Sequence, residues 1–255
     1  MLWMTLCLVA WLYAGTESTE AARILVYPYG HCLNSHLLNA EKLSRIIASN
    51  GHDVTMLLSD MYQLFDHTVH GTSDDDIEDD VTLLQFRGPA NYTPICDFDT
   101  IDFMVYAPIG ERFNTMIETS VRYCEQLLSD TAMMRMLKAA NYDLVIVESL
   151  DPCSRILADY LDVPFIPLMT TGLGHWDGNP RPPSYLPAAI SPFTPTMTFL
   201  QRMGNLVIKL MYETIPVLMG FDPPFEQLKQ KYNLNTSLSI ANTFNRASLK
   251  LVNSD

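Results

Sequence analysis

One stretch, Ala22 to His52, narrows the folds open to this chain more than any other. The apolar, β-branched run Ile24 to Val26 ends at Pro28 and Gly30, and a helical repeat opens near Ser35 with Leu43, Ile46 and Ile47 along one side. Asn34 and Ser35 are suited to cap its start, and Asn50-Gly51 stops it. Asp53 to Leu58 reads as a second strand. A strand, a crossover helix and another strand form the opening unit of an open, mostly parallel sheet, since parallel neighbours need a long connection between them. Sheets of this kind form their clefts beyond the carboxyl ends of the strands. His36, at the start of the first helix, falls at such an end.

The rest of the chain extends this α/β pattern. Val81 to Phe86 is a strand stopped by Arg87-Gly-Pro89, and the run from Phe113 through Ile117, Val121 and Cys124 to Leu128 has helical spacing. Thr131 to Ala140 predicts a short helix whose methionines pack. Tyr142 to Val147 is the second clear strand, followed by a helix through Leu161 and a strand over Pro164 to Leu168. The unbroken apolar character of Leu144 to Val147 suits a sheet covered on both faces. Glu148 then sits at a carboxyl edge, on the same side as His36. Thr170 to Pro195 is too rich in proline and glycine for a long regular element, and its aromatics suit a pocket wall. Phe199 to Leu218 resumes as a helix, interrupted before Pro216. Lys209 and Glu213 argue against a membrane span, which leaves packing into the domain or an amphipathic membrane-facing surface. Helices from Pro223 to Tyr232 and around Ser239 to Arg246 follow, and then a strand over Leu249 to Val252.

A hydrophobic content of 48% over 255 residues is enough for one substantial core. Acidic residues number 29 against 16 basic ones, a net charge of -13, and no basic patch relieves it, which excludes most nucleic-acid binding. Met1 to Gly15 is apolar but short for a span and is followed by small and polar residues, as in a secretory signal peptide. Its removal leaves Cys32, Cys96, Cys124 and Cys153, which allow three full pairings. Asn91 and Asn235 begin glycosylation sequons. The acidic block Ser73 to Asp80 lacks the spacing of a calcium loop and reads as solvated.

Of the chemistry-bearing residues, His36 and Glu148 form the sharpest pair. An imidazole can take a proton from a hydroxyl while a carboxylate on its other nitrogen fixes the tautomer and stabilises the charge that develops. Asp151 is a rival carboxylate, although Asp151-Pro152 also suits a helix start. A serine hydrolase would need Ser35, Ser149 or Ser184, none of which sits in a nucleophile elbow. His31, Cys32 and His36 lack a spaced fourth metal ligand, so no metal is expected.

These residues, in order, resemble the amino-terminal half of the secretory-pathway UDP-glycosyltransferases, which include the UDP-glucuronosyltransferases and ceramide galactosyltransferase. The resemblance runs through Ala22-Arg-Ile-Leu-Val26, Asn34-Ser-His36, Asn50-Gly-His-Asp-Val-Thr-Met-Leu57 and Tyr142-Asp-Leu-Val-Ile-Val-Glu-Ser-Leu-Asp-Pro-Cys153. It continues in Val163-Pro-Phe165, Pro182-Pro-Ser-Tyr-Leu-Pro187, Met197 to Met203 and Leu251-Val-Asn-Ser-Asp255. It implies a Rossmann-like α/β acceptor-binding domain over residues 23–255, after a signal peptide over 1–22, in a two-domain GT-B enzyme whose nucleotide-sugar domain and membrane anchor are absent here. It also implies His36 as the catalytic base and Glu148 in place of the family's aspartate, one methylene longer. Tyr29, Cys32, Leu33, Leu37, Leu173, Trp176 and Tyr185 become candidate lining for a small lipophilic or lipid acceptor. UDP-sugar is a co-substrate rather than a cofactor, held mainly by the other domain, and the endoplasmic-reticulum lumen or its membrane is the implied location. The competing expectation is a non-catalytic acceptor-binding or regulatory subunit that pairs with full-length relatives.

Overall fold

In a computed structural model, residues 21–28, 34–60, 81–89, 106–169, 182–188, 191–218, 222–234, 239–243, 246–247 and 249–252 are described. In chain order the elements are β1 (Arg23–Tyr27), α1 (Asn34–Ser49), β2 (Asp53–Ser59), β3 (Val81–Phe86), α2 (Ile109–Ser129), α3 (Thr131–Ala139), β4 (Leu144–Glu148), α4 (Pro152–Leu161), β5 (Phe165–Met169), α5 (Phe199–Leu218), α6 (Pro223–Lys231), α7 (Ile240–Thr243) and β6 (Leu251–Val252). The six strands form one sheet in the order β3-β2-β1-β4-β5-β6. Every pairing is parallel, with Leu25 opposite Thr55 on one side and Val145 on the other. The expected open, mostly parallel α/β sheet is therefore present.

Alternation along the strands divides the core in two. Leu25, Tyr27, Leu57, Val145 and Val147 point to one face, where Tyr123, Leu127, Leu137, Ile156, Leu157 and Phe225 of the helices cover them. Ile24, Val26, Val54, Met56, Leu58, Ile146 and Leu168 point to the other, against Leu37, Ala40 and Ala48 of α1. Burial on both faces is the reason these strands are continuously apolar. The T-shaped contact of Phe86 and Tyr123, 5.3 Å between ring centroids, closes the β3 end of the first layer.

Local chemistry sets the element boundaries. Gly51, at φ +85°, ends α1 in the left-handed conformation that glycine adopts without steric cost. Asp130 accepts from the Met133 amide at 2.9 Å and caps α3. At α4 the cap is Asp151, with Pro152 in the first helical turn. Within α3, Met133, Met134 and Leu137 pack as expected, while Met136 faces outward.

Two expectations need correction. α5 runs on through Pro216 to Leu218, because a missing amide so close to the end of the helix disturbs only its last turn. Nor does α5 simply pack its apolar residues into the domain: Phe199, Leu200, Met203, Val207 and Met211 are exposed. The helix is held from its other side, where the buried Asn205 donates to the Pro183 and Leu186 carbonyls at 2.9 and 2.8 Å and accepts from the Ala188 amide at 2.7 Å. No helix among the described residues is long and apolar enough to cross a membrane.

Candidate functional site

The strand order places a switch point between β1 and β4. From β1 the chain winds outward to β2 and β3, then returns to lay β4 on the other side of β1. The carboxyl ends of β1 and β4 lie side by side there, at the place where open parallel sheets form their clefts. His36 stands on the first turn of α1, just after β1, and Glu148 is the last residue of β4.

At these two strand ends His36 Nδ1 lies 3.0 Å from Glu148 Oε2. Both side chains are buried, at 6% and 1% exposure. The other carboxylate oxygen, Oε1, accepts from the Ser149 hydroxyl at 3.2 Å and from the Leu150 amide at 3.3 Å. Glu148 thus acts as an acceptor on both oxygens, which suits its ionised form. With Nδ1 donating to that carboxylate, the lone pair of a neutral imidazole resides on Nε2. The added methylene of glutamate does not prevent the contact.

The turn that carries Glu148 is tightly bonded. Asp151 Oδ1 accepts from the Cys153 amide at 2.9 Å. The Ser154 hydroxyl lies 2.6 Å from the carbonyl oxygens of both Glu148 and Asp151, and Arg155 Nη2 donates to the Ser149 carbonyl at 3.2 Å. Between the rival carboxylates, the structure gives the imidazole to Glu148 and the helix cap to Asp151. Ser149, one of the serines weighed as a nucleophile, bonds Glu148. Ser154 and Arg155 were missed by sequence reasoning; a serine three residues after the capping Asp151 is the pattern that marks Ser154.

A disulfide joins Cys124 of α2 to Cys153 of α4, with Cα atoms 5.3 Å apart. It selects one bond from the three pairings the sequence left open; Cys32 and Cys96 lie outside the described residues, as do Asn91 and Asn235. Of the candidate acceptor-lining residues, Tyr29, Cys32, Leu33, Leu173 and Trp176 also lie outside them. Leu37 is 3% exposed and packs with Ile24, Val26 and Met56. Tyr185 is exposed on the turn that Asn205 ties to α5. Among the described residues no group of three His, Cys, Asp or Glu side chains is arranged to hold a metal ion.

The chain is 24% identical to UDP-glucuronosyltransferase 2B7 of Rattus norvegicus, over 99% of its own length and 48% of that protein. It is 32% identical to UDP-glucuronosyltransferase 3A1 of Homo sapiens, over 80% of its length and 38% of that protein. It thus spans less than half the length of these curated relatives. Among solved structures, the calicheamicin glycosyltransferase CalG4 aligns over 92% of this chain and 48% of its own, at 16% identity and a TM-score of 0.42. Residues 22–255 match the family model for UDP-glucoronosyl and UDP-glucosyl transferase, and the chain belongs to that family.

Proposed function

We propose that this chain supplies the acceptor half of an enzyme that transfers a sugar from a UDP-sugar to a hydroxyl of a small lipophilic or lipid acceptor. The observation that carries this reading is the 3.0 Å pairing of His36 Nδ1 with Glu148 Oε2 at the switch point of the sheet. Nε2 of His36 removes the acceptor hydroxyl proton as the oxygen attacks the anomeric carbon. The bond from that carbon to the UDP oxygen breaks, UDP leaves with the electron pair, and the configuration inverts. Glu148 holds the ring in the reactive tautomer and stabilises the imidazolium that forms. In this reading the UDP-sugar is a co-substrate rather than a cofactor.

A luminal or membrane-associated place in the secretory pathway is supported by the Cys124–Cys153 disulfide, since such bonds persist in oxidising compartments. Residues 1–22 act as its signal peptide in this reading. The exposed apolar residues of α5, beside Arg202 and Lys209, supply a surface for contact with a bilayer.

Transfer by the chain fused to the nucleotide-sugar domain of a relative tests the role of His36. His36→Ala should lower the rate on the order of 10²- to 10⁴-fold, the usual contribution of a general base. Glu148→Gln should lower it less, and Glu148→Asp should retain most of it. An unchanged rate in His36→Ala would exclude the imidazole as the base. The second reading is a non-catalytic acceptor-binding or regulatory subunit that pairs with full-length relatives. Acceptor binding without any UDP-sugar-dependent transfer by the fusion would select it.

A further inference from the structure

The Glu148 turn contains a second carboxyl that the proposed transfer does not use. Asp151 is completely buried, three residues beyond Glu148. Its Oδ1 caps α4, but Oδ2 is buried with no hydrogen-bond partner among the described residues. The Tyr27 hydroxyl, at the end of β1, is likewise buried without a partner among them. An ionised carboxylate with one bare buried oxygen, close to a second carboxylate, is a costly arrangement that a single proton relieves.

The groups around Asp151 supply only part of a counter-charge. Glu148 approaches from β4 and raises its proton affinity, and Tyr27 of β1, itself facing Tyr123 of α2, contributes no positive charge. Arg155 on α4 is the cation that faces it. That guanidinium is buried, donates to the Ser149 carbonyl and is shared electrostatically with Asp222 ahead of α6. Burial first, opposed by the Cys153 amide, and then the Glu148 charge push the Asp151 carboxyl up to about 7.

We propose that Asp151 is a positioning residue for the His36–Glu148 pair: a second carboxyl that, while it holds its proton, leaves Glu148 as the single negative charge in the turn. The Ser154 hydroxyl, 2.6 Å from the backbone carbonyls of both residues, links them through the turn. When Asp151 ionises, repulsion between two buried carboxylates strains the turn that directs Glu148 to the imidazole. The inference rests on the proposed role of the pair for its functional meaning, but its test makes no use of transfer.

Carboxyl ¹³C signals of the labelled chain are followed against pH by NMR. The Asp151 signal should step near pH 7, whereas ordinary aspartates step at about pH 4. In Glu148→Gln, which removes the neighbouring charge, the Asp151 step should move to lower pH. Asp151→Asn, which retains the cap, should fold with the same circular dichroism and lack the neutral step. A wild-type Asp151 signal that steps with the ordinary aspartates, or a neutral step that stays in place in Glu148→Gln, would overturn the proposal and leave Asp151 as a plain cap. Should either variant fail to fold, the position of the wild-type step alone decides. Loss of transfer in His36→Ala is a separate result, so failure here and failure of the catalytic reading can be told apart.

Discussion

Helices α4 and α5 carry similarly amphipathic sequences and meet opposite fates. In α4 every residue but Tyr160 is buried, including Ser154, Arg155 and Asp159. In α5 the apolar residues Phe199, Leu200, Met203, Val207 and Met211 face outward, and a buried asparagine secures the inner side. The reason is position. α4 leaves the central strand β4 and lies among α2, α6 and α7, with a disulfide to α2 and a salt bridge from Arg246 to Asp159 at 2.6 Å. α5 begins only after the segment that follows β5, and its inner side is bonded to the turn at residues 183–188. A hydrophobic stripe therefore guarantees a demand for cover, whereas the topology decides which helix obtains it from the same chain.

Removing the covalent tie is the most severe way to break this contrast. Cys124→Ala with Cys153→Ala opens a link that spans 29 residues of sequence and should cost about 3 to 4 kcal/mol in chemical denaturation. Leu157→Ala, at a completely buried position in α4, should cost about 3 kcal/mol by the same measurement. On α5 the comparable weak point is polar: Asn205→Ala leaves two carbonyls and an amide without their partner and should cost about 2 kcal/mol.

Acid and neutral pH sharpen the picture at the start of α4. Asp151 is raised to about 7, so between about pH 4 and that value the folded chain keeps a proton that the unfolded chain has lost. Stability therefore falls as pH rises through this window, by up to about 1.4 kcal/mol per pH unit from one group, and levels off above it. Burial raises Asp222 as well, with the same sign. Denaturation at a series of pH values should show a shallower fall in Asp151→Asn. The smallest effect belongs to the exposed stripe. Met203→Ser and Val207→Ser should change stability by no more than about 0.5 kcal/mol, yet should weaken flotation of the chain with vesicles containing anionic lipid. If those serines destabilise the fold as much as Leu157→Ala does, α5 is covered in solution and the contrast between the two helices is lost.

Much of the architecture was legible from residue order, because period-two and helical repeats, proline, glycine and capping residues act locally. Val81 to Phe86 matches its strand throughout, and Asp151-Pro152 marks the start of α4. His36 and Glu148 could be placed at the same edge of the sheet because both follow strands that must run parallel. The packing of Leu37 against the sheet could not be read, since the sequence around His36 does not state which residues of α1 its buried face takes in.

The sequence by itself determined a parallel sheet buried on both faces, the elements that build it and the family to which the chain belongs. Tertiary structure alone decided that Oε2 of Glu148, rather than Asp151, meets the imidazole, that Cys124 pairs with Cys153, and that α5 shows its apolar residues. These outcomes depend on contacts between residues 29 and 112 positions apart, or on which side of α5 is bonded to a turn, and no local pattern encodes either.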